Sequence, residues 1–379
     1  MNVMIFTEQW VNGGVASFIV NILKNADLSD DLKIDIVVSE KITDFYDDTL
    51  KSLGVELICL VSNKRTNPLV RLIKSSRKFK QIILRKDYSV IHFNLCNAVG
   101  LVYGKIAQKY CRSRLIVHSH NSMVGSKTKL LMNNIFKELF SDVPDKRYAC
   151  SDYAAELLFP SKFLNTVEII NNGIDLQKFR FNNDDREDVR KRLDVGNKIL
   201  ICHVGRYIKQ KNHRFLLEVY SSIKNRYPDK TKLLLIGEGH LEESVDKYAI
   251  ELKIENDIIK IKNTQEVYAY LSASDFFMLP SLFEGLPIVG VEAQANGLPC
   301  LFSDTITKQV KLIDSAQFLS IEQPAEAWCE KFTDMINQKN IRENCYDKLL
   351  SEGFDIVSVS KKILQSYKED SLCEQNLKV

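Results

Sequence analysis

Residues 281–299 read SLFEGLPIVGVEAQANGLP. The apolar run DFFML, 275–279, precedes this stretch, and LPCLF, 298–302, closes it. The middle predicts a buried helix from about Leu286 to Ala295, ending at Gly297. Pro287 suits its first turn, where a missing N–H costs nothing. A strand, a helix and a second strand in succession form the building unit of a parallel sheet. Glu284 sits on the loop before the helix, and Glu292 five residues inside it. A helix start offers free N–H groups and a partial positive charge, which favour phosphate. Glu284 is then placed to accept from sugar hydroxyls beside that phosphate, and Glu292 from a vicinal diol such as a ribose. The spacing equally allows an ordinary N-cap neighbour at Glu284 and a partly exposed helix residue at Glu292.

The same alternation extends in both directions. NVMIF, KIDIVV, VELICL, SVIHF, RLIVH and KRYAC read as strands in the first half, and KILICHVG, KLLLIG and DIIKI in the second. Helix-length segments such as Val15–Asn25, Phe215–Tyr227 and Leu241–Leu252 lie between them. The pattern predicts an α/β protein of two doubly wound, Rossmann-like domains facing across a cleft, with ligands beyond the carboxyl ends of the strands. The expected domains are 1–175 and 198–355. The polar stretch 176–197 is expected to be a linker with a charged surface helix. A last helical segment, within 356–379, is free by its pattern to pack back on the first domain.

The chain has 379 residues, 45% apolar and 27% charged, and no stretch resembles a membrane span. The N-terminus has no positive n-region, and Glu8 interrupts its apolar run, so no signal peptide is expected. Nine cysteines without a C-x-x-C pair suit a reducing cytoplasm and argue against a zinc site or a disulfide framework. A net charge of +3 is too small to imply nucleic acid.

Four further motifs follow strands. NGGVASF, 12–18, brings Gly13 and Gly14 to a helix start, as a tight turn or a close approach to phosphate. It is not G-x-G-x-x-G, which weakens a dinucleotide dehydrogenase reading. LIVHSHNS, 115–122, carries His118 and His120, each readable as a structural histidine or a site group. HVGRYIKQKN, 203–212, puts Arg206 and Lys211 on a loop, as solvated charges or a diphosphate clamp. LLLIGEGHLE, 233–242, opens a helix with Gly237 and Gly239. INNGID, 170–175, contains the turn signal Asn172-Gly173 and reads as a hinge.

Taken in this order, the motifs resemble those of the retaining, nucleotide-sugar-dependent glycosyltransferases of GT-B fold that carry a Glu–seven residues–Glu motif. That family includes bacterial capsule, exopolysaccharide and lipopolysaccharide transferases. The resemblance covers almost the whole chain, with PSLFEGLPIVGVEAQANGLP matching nearly throughout. It implies transfer of a sugar from a nucleotide diphosphate sugar, with retention, to a saccharide or lipid-linked acceptor. It also implies a metal-independent site without a cofactor, and no Asp-x-Asp motif is present. Catalytic roles are implied for His120, Glu284, Arg206 and Lys211. Donor contacts are implied for Gly13, Gly14, Arg206, Lys211, Gly237, Ile261, Lys262, Glu284, Gly285, Leu286, Pro287 and Glu292. IKIKNT replaces the family's phenylalanine–leucine–glycine element near Ile261, so the base is open, with uridine the commonest in the family.

Residues 64–86, KRTNPLVRLIKSSRKFKQIILRK, hold nine Lys/Arg and no Asp/Glu, interleaved with apolar residues. Such a segment suits an anionic membrane surface, or a surface helix with a solvated basic face. The expected location is the cytoplasm, peripheral to the inner face of the membrane. Two competing functions are a nucleotide-sugar epimerase of the same architecture and a non-catalytic sugar-binding protein.

Overall fold

A computed structural model of the protein describes residues 1–26, 28, 31–61, 67–121, 127–338, 342 and 344–369. Ser122 of the histidine motif, residues 64–66 of the basic segment and 370–379 lie outside these. The chain divides into two compact units. One is Met1–Gly173 together with the segment from Gly353 onward, and the other is Ile174–Glu352.

The first unit is built on β1 (Asn2–Trp10), β2 (Lys33–Lys41), β3 (Glu56–Cys59), β4 (Val90–Leu95), β5 (Arg114–Ser119), β6 (Lys146–Ala149) and β7 (Val167–Ile169). The order is β3-β2-β1-β4-β5-β6-β7, with every pair parallel. Residues 3–7 of β1 are buried on both faces, hence the unbroken apolar run in place of alternation. Val3 and Ile5 join a core with the helices Gly14–Lys24 and Ile356–Lys368. Met4 and Phe6 enter the opposite core, where the Phe6 ring centroid lies 4.6 Å from Tyr103 and 5.4 Å from Phe93. The terminal helix Ile356–Lys368 thus belongs to the first unit, and Val359, Ile363 and Tyr367 are its buried face.

The second unit holds β8 (Ile199–Val204), β9 (Thr231–Ile236), β10 (Ile258–Ile261), β11 (Phe276–Leu279), β12 (Cys300–Ser303) and β13 (Ala316–Leu319), in the parallel order β10-β9-β8-β11-β12-β13. Each sheet reverses its winding once, between β1 and β4 and between β8 and β11. A crevice for ligands opens beyond the strand ends at such a point.

β7 and β13 were not expected from the sequence. Both are short edge strands with half-exposed residues, and neither carries a continuous apolar run. The segment 176–197 is tied to the second unit. Its helix Asn183–Arg192 sends Arg186 and Arg190 to Asp275 at 2.6 and 3.1 Å and to the carbonyls of Ser272, Ala273 and Ser274. Among the described residues, no helix is long and apolar enough to cross a membrane.

Candidate functional site

In the second unit, the chain leaves β8 at Gly205, makes a 3₁₀ turn at Lys209–Lys211 and enters the helix His213–Arg226. It leaves β11 at Pro280 and enters the helix Ile288–Ala295. These loops flank the winding reversal and are bonded to each other. Lys211 Nζ lies 2.6 Å from Glu284 Oε1, with the two side chains only 13% and 11% exposed. Ser281 Oγ donates to the same oxygen at 3.0 Å, and Gln210 Nε2 donates to Oε2 at 3.1 Å. The Leu282 N–H donates to the Gln210 carbonyl, and Asn212 Nδ2 to that of Pro280. Lys211 and Glu284 are therefore one ion pair. Arg206 is exposed and has no ion pair among the described residues.

The helix begins two residues later than expected. Pro287 is its N-cap, in an extended conformation, and no side chain caps the first N–H groups. Proline at this position still costs no hydrogen bond, and its φ of −71° leads into the helix. Gly285 and Leu286 are half-buried on the loop, and the uncapped start retains its partial positive charge. Glu292 is half-buried. Burial pushes its carboxyl up to about 7, against the opposing charge of Lys178.

Behind Lys211 lie two buried imidazoles. His203 Nδ1 meets the Met278 carbonyl at 2.9 Å, and His213 stacks on Tyr207 at 4.4 Å. Burial keeps both neutral, holding His203 well below the usual range and lowering His213 to about 4.

The glycines divide into two kinds. Gly237 has φ of +144°, and a Cβ there would fall 2.3 Å from the Gly205 carbonyl oxygen. At Gly239 a Cβ would meet the Tyr207 carbonyl oxygen at 2.5 Å. These two are required by the packing of the loop after β9 against the loop after β8. The Ile261 carbonyl is likewise engaged, by the Gly237 N–H at 2.9 Å, while Lys262 is exposed. In the first unit, a Cβ on Gly14 would meet nothing within 4 Å, and one on Gly13 only the Val11 carbonyl oxygen at 3.9 Å. Gly237→Ala is therefore expected to lower stability by about 2 kcal/mol or more, and Gly14→Ala to leave it within about 0.5 kcal/mol. Urea melts of the two variants test this contrast, which a comparable loss in both would overturn.

His120 follows β5 in the first unit. Asn94 Nδ2 reaches the His92 carbonyl, so its Oδ1 faces His120 Nε2 at 2.8 Å. Nε2 then carries the proton and Nδ1 a lone pair. Burial lowers this ring to about 3, with Asn172 alone favouring its protonation. Neither His120 Nδ1 nor Asn172 Oδ1 completes a hydrogen bond. His118 is fully buried between Phe18, Tyr148 and His92. It is a core residue. Gly173 has a packing reason too, since a Cβ would lie 2.8 Å from Ile356 Cα at the start of the terminal helix. Among the described residues, no three His, Cys, Asp or Glu side chains are grouped to hold a metal ion.

Residues 184–349 match the family model described as glycosyl transferases group 1. The chain is 28% identical over 327 residues to the putative glycosyltransferase EpsF of Bacillus subtilis, covering 84% of this chain and 83% of that one. It is 26% identical over 345 residues to the UDP-Gal:alpha-D-GlcNAc-diphosphoundecaprenol alpha-1,3-galactosyltransferase of Escherichia coli, covering 87% and 86%. Among solved structures, HepE of Anabaena in complex with UDP and glucose shares the fold at a TM-score of 0.79, with 16% identity over 97% of this chain and 100% of that one. The protein is a glycosyltransferase of the GT-B fold.

One carboxylate of this glycosyltransferase lies at a winding reversal and was not singled out as a site candidate from the sequence. Glu8 lies near the end of β1 and accepts from the Cys96 N–H at 3.0 Å and Asn97 Nδ2 at 2.8 Å, both just beyond β4. It therefore spans the winding reversal of the first sheet. Glu8 is half-buried, and burial pushes its carboxyl up to about 7. The available signal was a carboxylate closing the apolar strand NVMIFTEQW.

Proposed function

We propose that this glycosyltransferase moves a hexosyl or N-acetylhexosaminyl group from a UDP-sugar, with retention and without a metal ion. The acceptor is a saccharide or lipid-linked saccharide in bacterial surface polysaccharide synthesis, met at the inner face of the membrane. The observation that carries the donor side is the Lys211–Glu284 pair, with the unpaired Arg206, beside the uncapped helix Ile288–Ala295 at the winding reversal of the second sheet. Arg206, Lys211 and the helix start supply positive charge to a leaving diphosphate, as a metal ion would elsewhere. Glu284 is held on both oxygens, which suits orienting sugar hydroxyls better than attacking carbon. The acceptor oxygen then bonds to the anomeric carbon on the face that the leaving phosphate departs, and that phosphate takes the acceptor proton. Glu292, within the same helix, accepts from the ribose diol. Gly13 and Gly14 leave open backbone for a phosphate. His120, which follows β5 in the first unit, is assigned a catalytic role in this reading. UDP with glucose in the Anabaena relative, and the galactosyl donor and diphosphoundecaprenol-linked acceptor named for the Escherichia coli relative, favour these classes. The basic segment 64–86 supports a peripheral membrane location.

The test is thermal stabilisation by a panel of nucleotides and nucleotide sugars in chelator. Uridine diphosphate at a hundred times its Kd is expected to add about 2.7 kcal/mol to the stability of wild type, with a clearly smaller gain at the same concentration in Glu292→Ala. No stabilisation by any nucleotide would overturn the donor reading. Conversion of the sugar while it stays attached to the nucleotide would favour an epimerase.

A further inference from the structure

The helix Lys127–Leu139 is inside out for a core helix. Leu130, Leu131, Met132, Ile135 and Leu139 are 43–63% exposed. The buried residue is Asn133, whose Oδ1 accepts from the Ala98 N–H at 2.7 Å and whose Nδ2 donates to the Leu157 carbonyl at 2.8 Å. Phe136 adds a partly buried ring against the core. A polar clamp and one ring thus hold the helix, while most of its apolar surface faces outward. Leu69, Val70 and Ile73, at the start of the helix Pro68–Arg85, are also exposed.

The starts of both helices lie on the carboxyl side of the sheet of the first unit. The helix Pro68–Arg85 follows β3 and leads to β4, so its first residues lie at the carboxyl edge of the sheet. Ala98, which pins Asn133, lies just beyond the carboxyl end of β4. Phe79 and Ile83 of one helix and Phe136 of the other pack on the same core. Scattered exposed leucines need no explanation, whereas five large apolar side chains on one helix whose buried residue is an asparagine mark a contact surface.

We infer that the helix Lys127–Leu139 inserts its apolar side into the interfacial layer of an anionic bilayer. This extends the lipid-linked acceptor reading above and assigns the insertion to a different element from the basic segment. Charge selects the occupant. Lys74, Arg77, Lys78, Lys80 and Arg85 have no acidic partner among the described residues, and the helix that carries them contains no acid. A second copy seated on the same patch would bring two such basic helices together. Anionic headgroups would neutralise them, and a leucine-rich helix flanked by lysines is the chemistry of an interfacial helix. Bilayer contact at this edge would hold a lipid-linked acceptor where the strands end.

The experiment is co-sedimentation of the full chain with vesicles of phosphatidylglycerol and phosphatidylethanolamine. No nucleotide is added, so failure here leaves the donor reading standing and the converse also holds. Wild type is expected to bind, and to retain part of its binding in 0.5 M salt. Leu131→Glu with Leu139→Glu should weaken binding by about tenfold or more, with an unchanged melting temperature because both positions are exposed. Met132→Trp supplies a second readout. The native tryptophans, Trp10 and Trp328, are fully buried, so the added emission should shift to the blue on vesicles and be quenched by lipids brominated along the chain. The inference is overturned if wild type stays in the supernatant, or if the double variant binds as well as wild type. A wild-type dimer that this double variant dissolves would also overturn it, by assigning the face to a second copy.

Discussion

Lys211→Ala is expected to lower kcat by about 10²–10³-fold, with a smaller change in KM. Under the proposed reaction, negative charge grows on the diphosphate as the glycosidic bond breaks, so a cation there acts more strongly on the transition state than on bound donor. Lys211 also neutralises Glu284, and both side chains are nearly buried. Removing the lysine leaves a carboxylate with Ser281 and Gln210 as its remaining hydrogen-bond donors among the described residues, a cost of about 1–3 kcal/mol. The two losses separate in Lys211→Ala with Glu284→Gln. That double variant should regain most of the lost melting temperature, because no unpaired charge remains. It should regain none of the rate. Recovery of both would assign Lys211 a purely structural role, and so would a single variant within a few-fold of wild-type kcat. The donor hydrolysis rate provides the measurement even before the acceptor is known.

Acid should unfold the first unit before the second. His92 and His120 are lowered to about 3 and His118 well below its ordinary value, all chiefly by burial. Each binds a proton more readily unfolded than folded, so each contributes stability that is full above about 6.5 and is lost as pH falls toward the folded value. Glu8, raised to about 7, acts in the opposite sense. It takes up its proton more readily in the folded state, which offsets one histidine between about 7 and 4.5. Three histidines against one glutamate leave a net uptake of two protons on unfolding, or about 2.7 kcal/mol lost per pH unit. In the second unit, His203 and His213 stand against Glu292, leaving one proton and about half that slope. With a stability at the lower end of the typical range, about 5 kcal/mol, the first unit is expected to unfold at about pH 4.5. Trp10 reports on the first unit and Trp328 on the second. Trp328→Phe and Trp10→Phe therefore isolate the two acid transitions by fluorescence. Transitions that coincide, or a second unit that unfolds first, would refute this ordering.

The fold was legible because its strands are buried on both faces. Val3 to Phe6 and Leu233 to Ile236 must be apolar at every position, and that requirement shows in one dimension. The loop after β11 was legible for a related reason, since Glu284, Pro287 and Glu292 are close in the chain and their order alone describes a helix start. β7 and β13 were hidden because an edge strand takes its hydrogen bonds from a single neighbour and has little apolar surface to cover. The pairing of Lys211 with Glu284 was hidden because these residues meet only when β8 and β11 become neighbours. Glu8 looked like a break in an apolar run until β4 brought Cys96 and Asn97 to it. The glycine motifs looked alike in sequence. Tertiary packing alone separated Gly237 and Gly239, which backbone crowding demands, from Gly13 and Gly14, which open space leaves free. The sequence by itself determined the buried central strands and the helices between them, because burial and local backbone chemistry act along the chain. The tertiary structure decided which charges are paired and which imidazoles are neutral, because Coulomb interaction and desolvation depend on distances that the chain order does not contain.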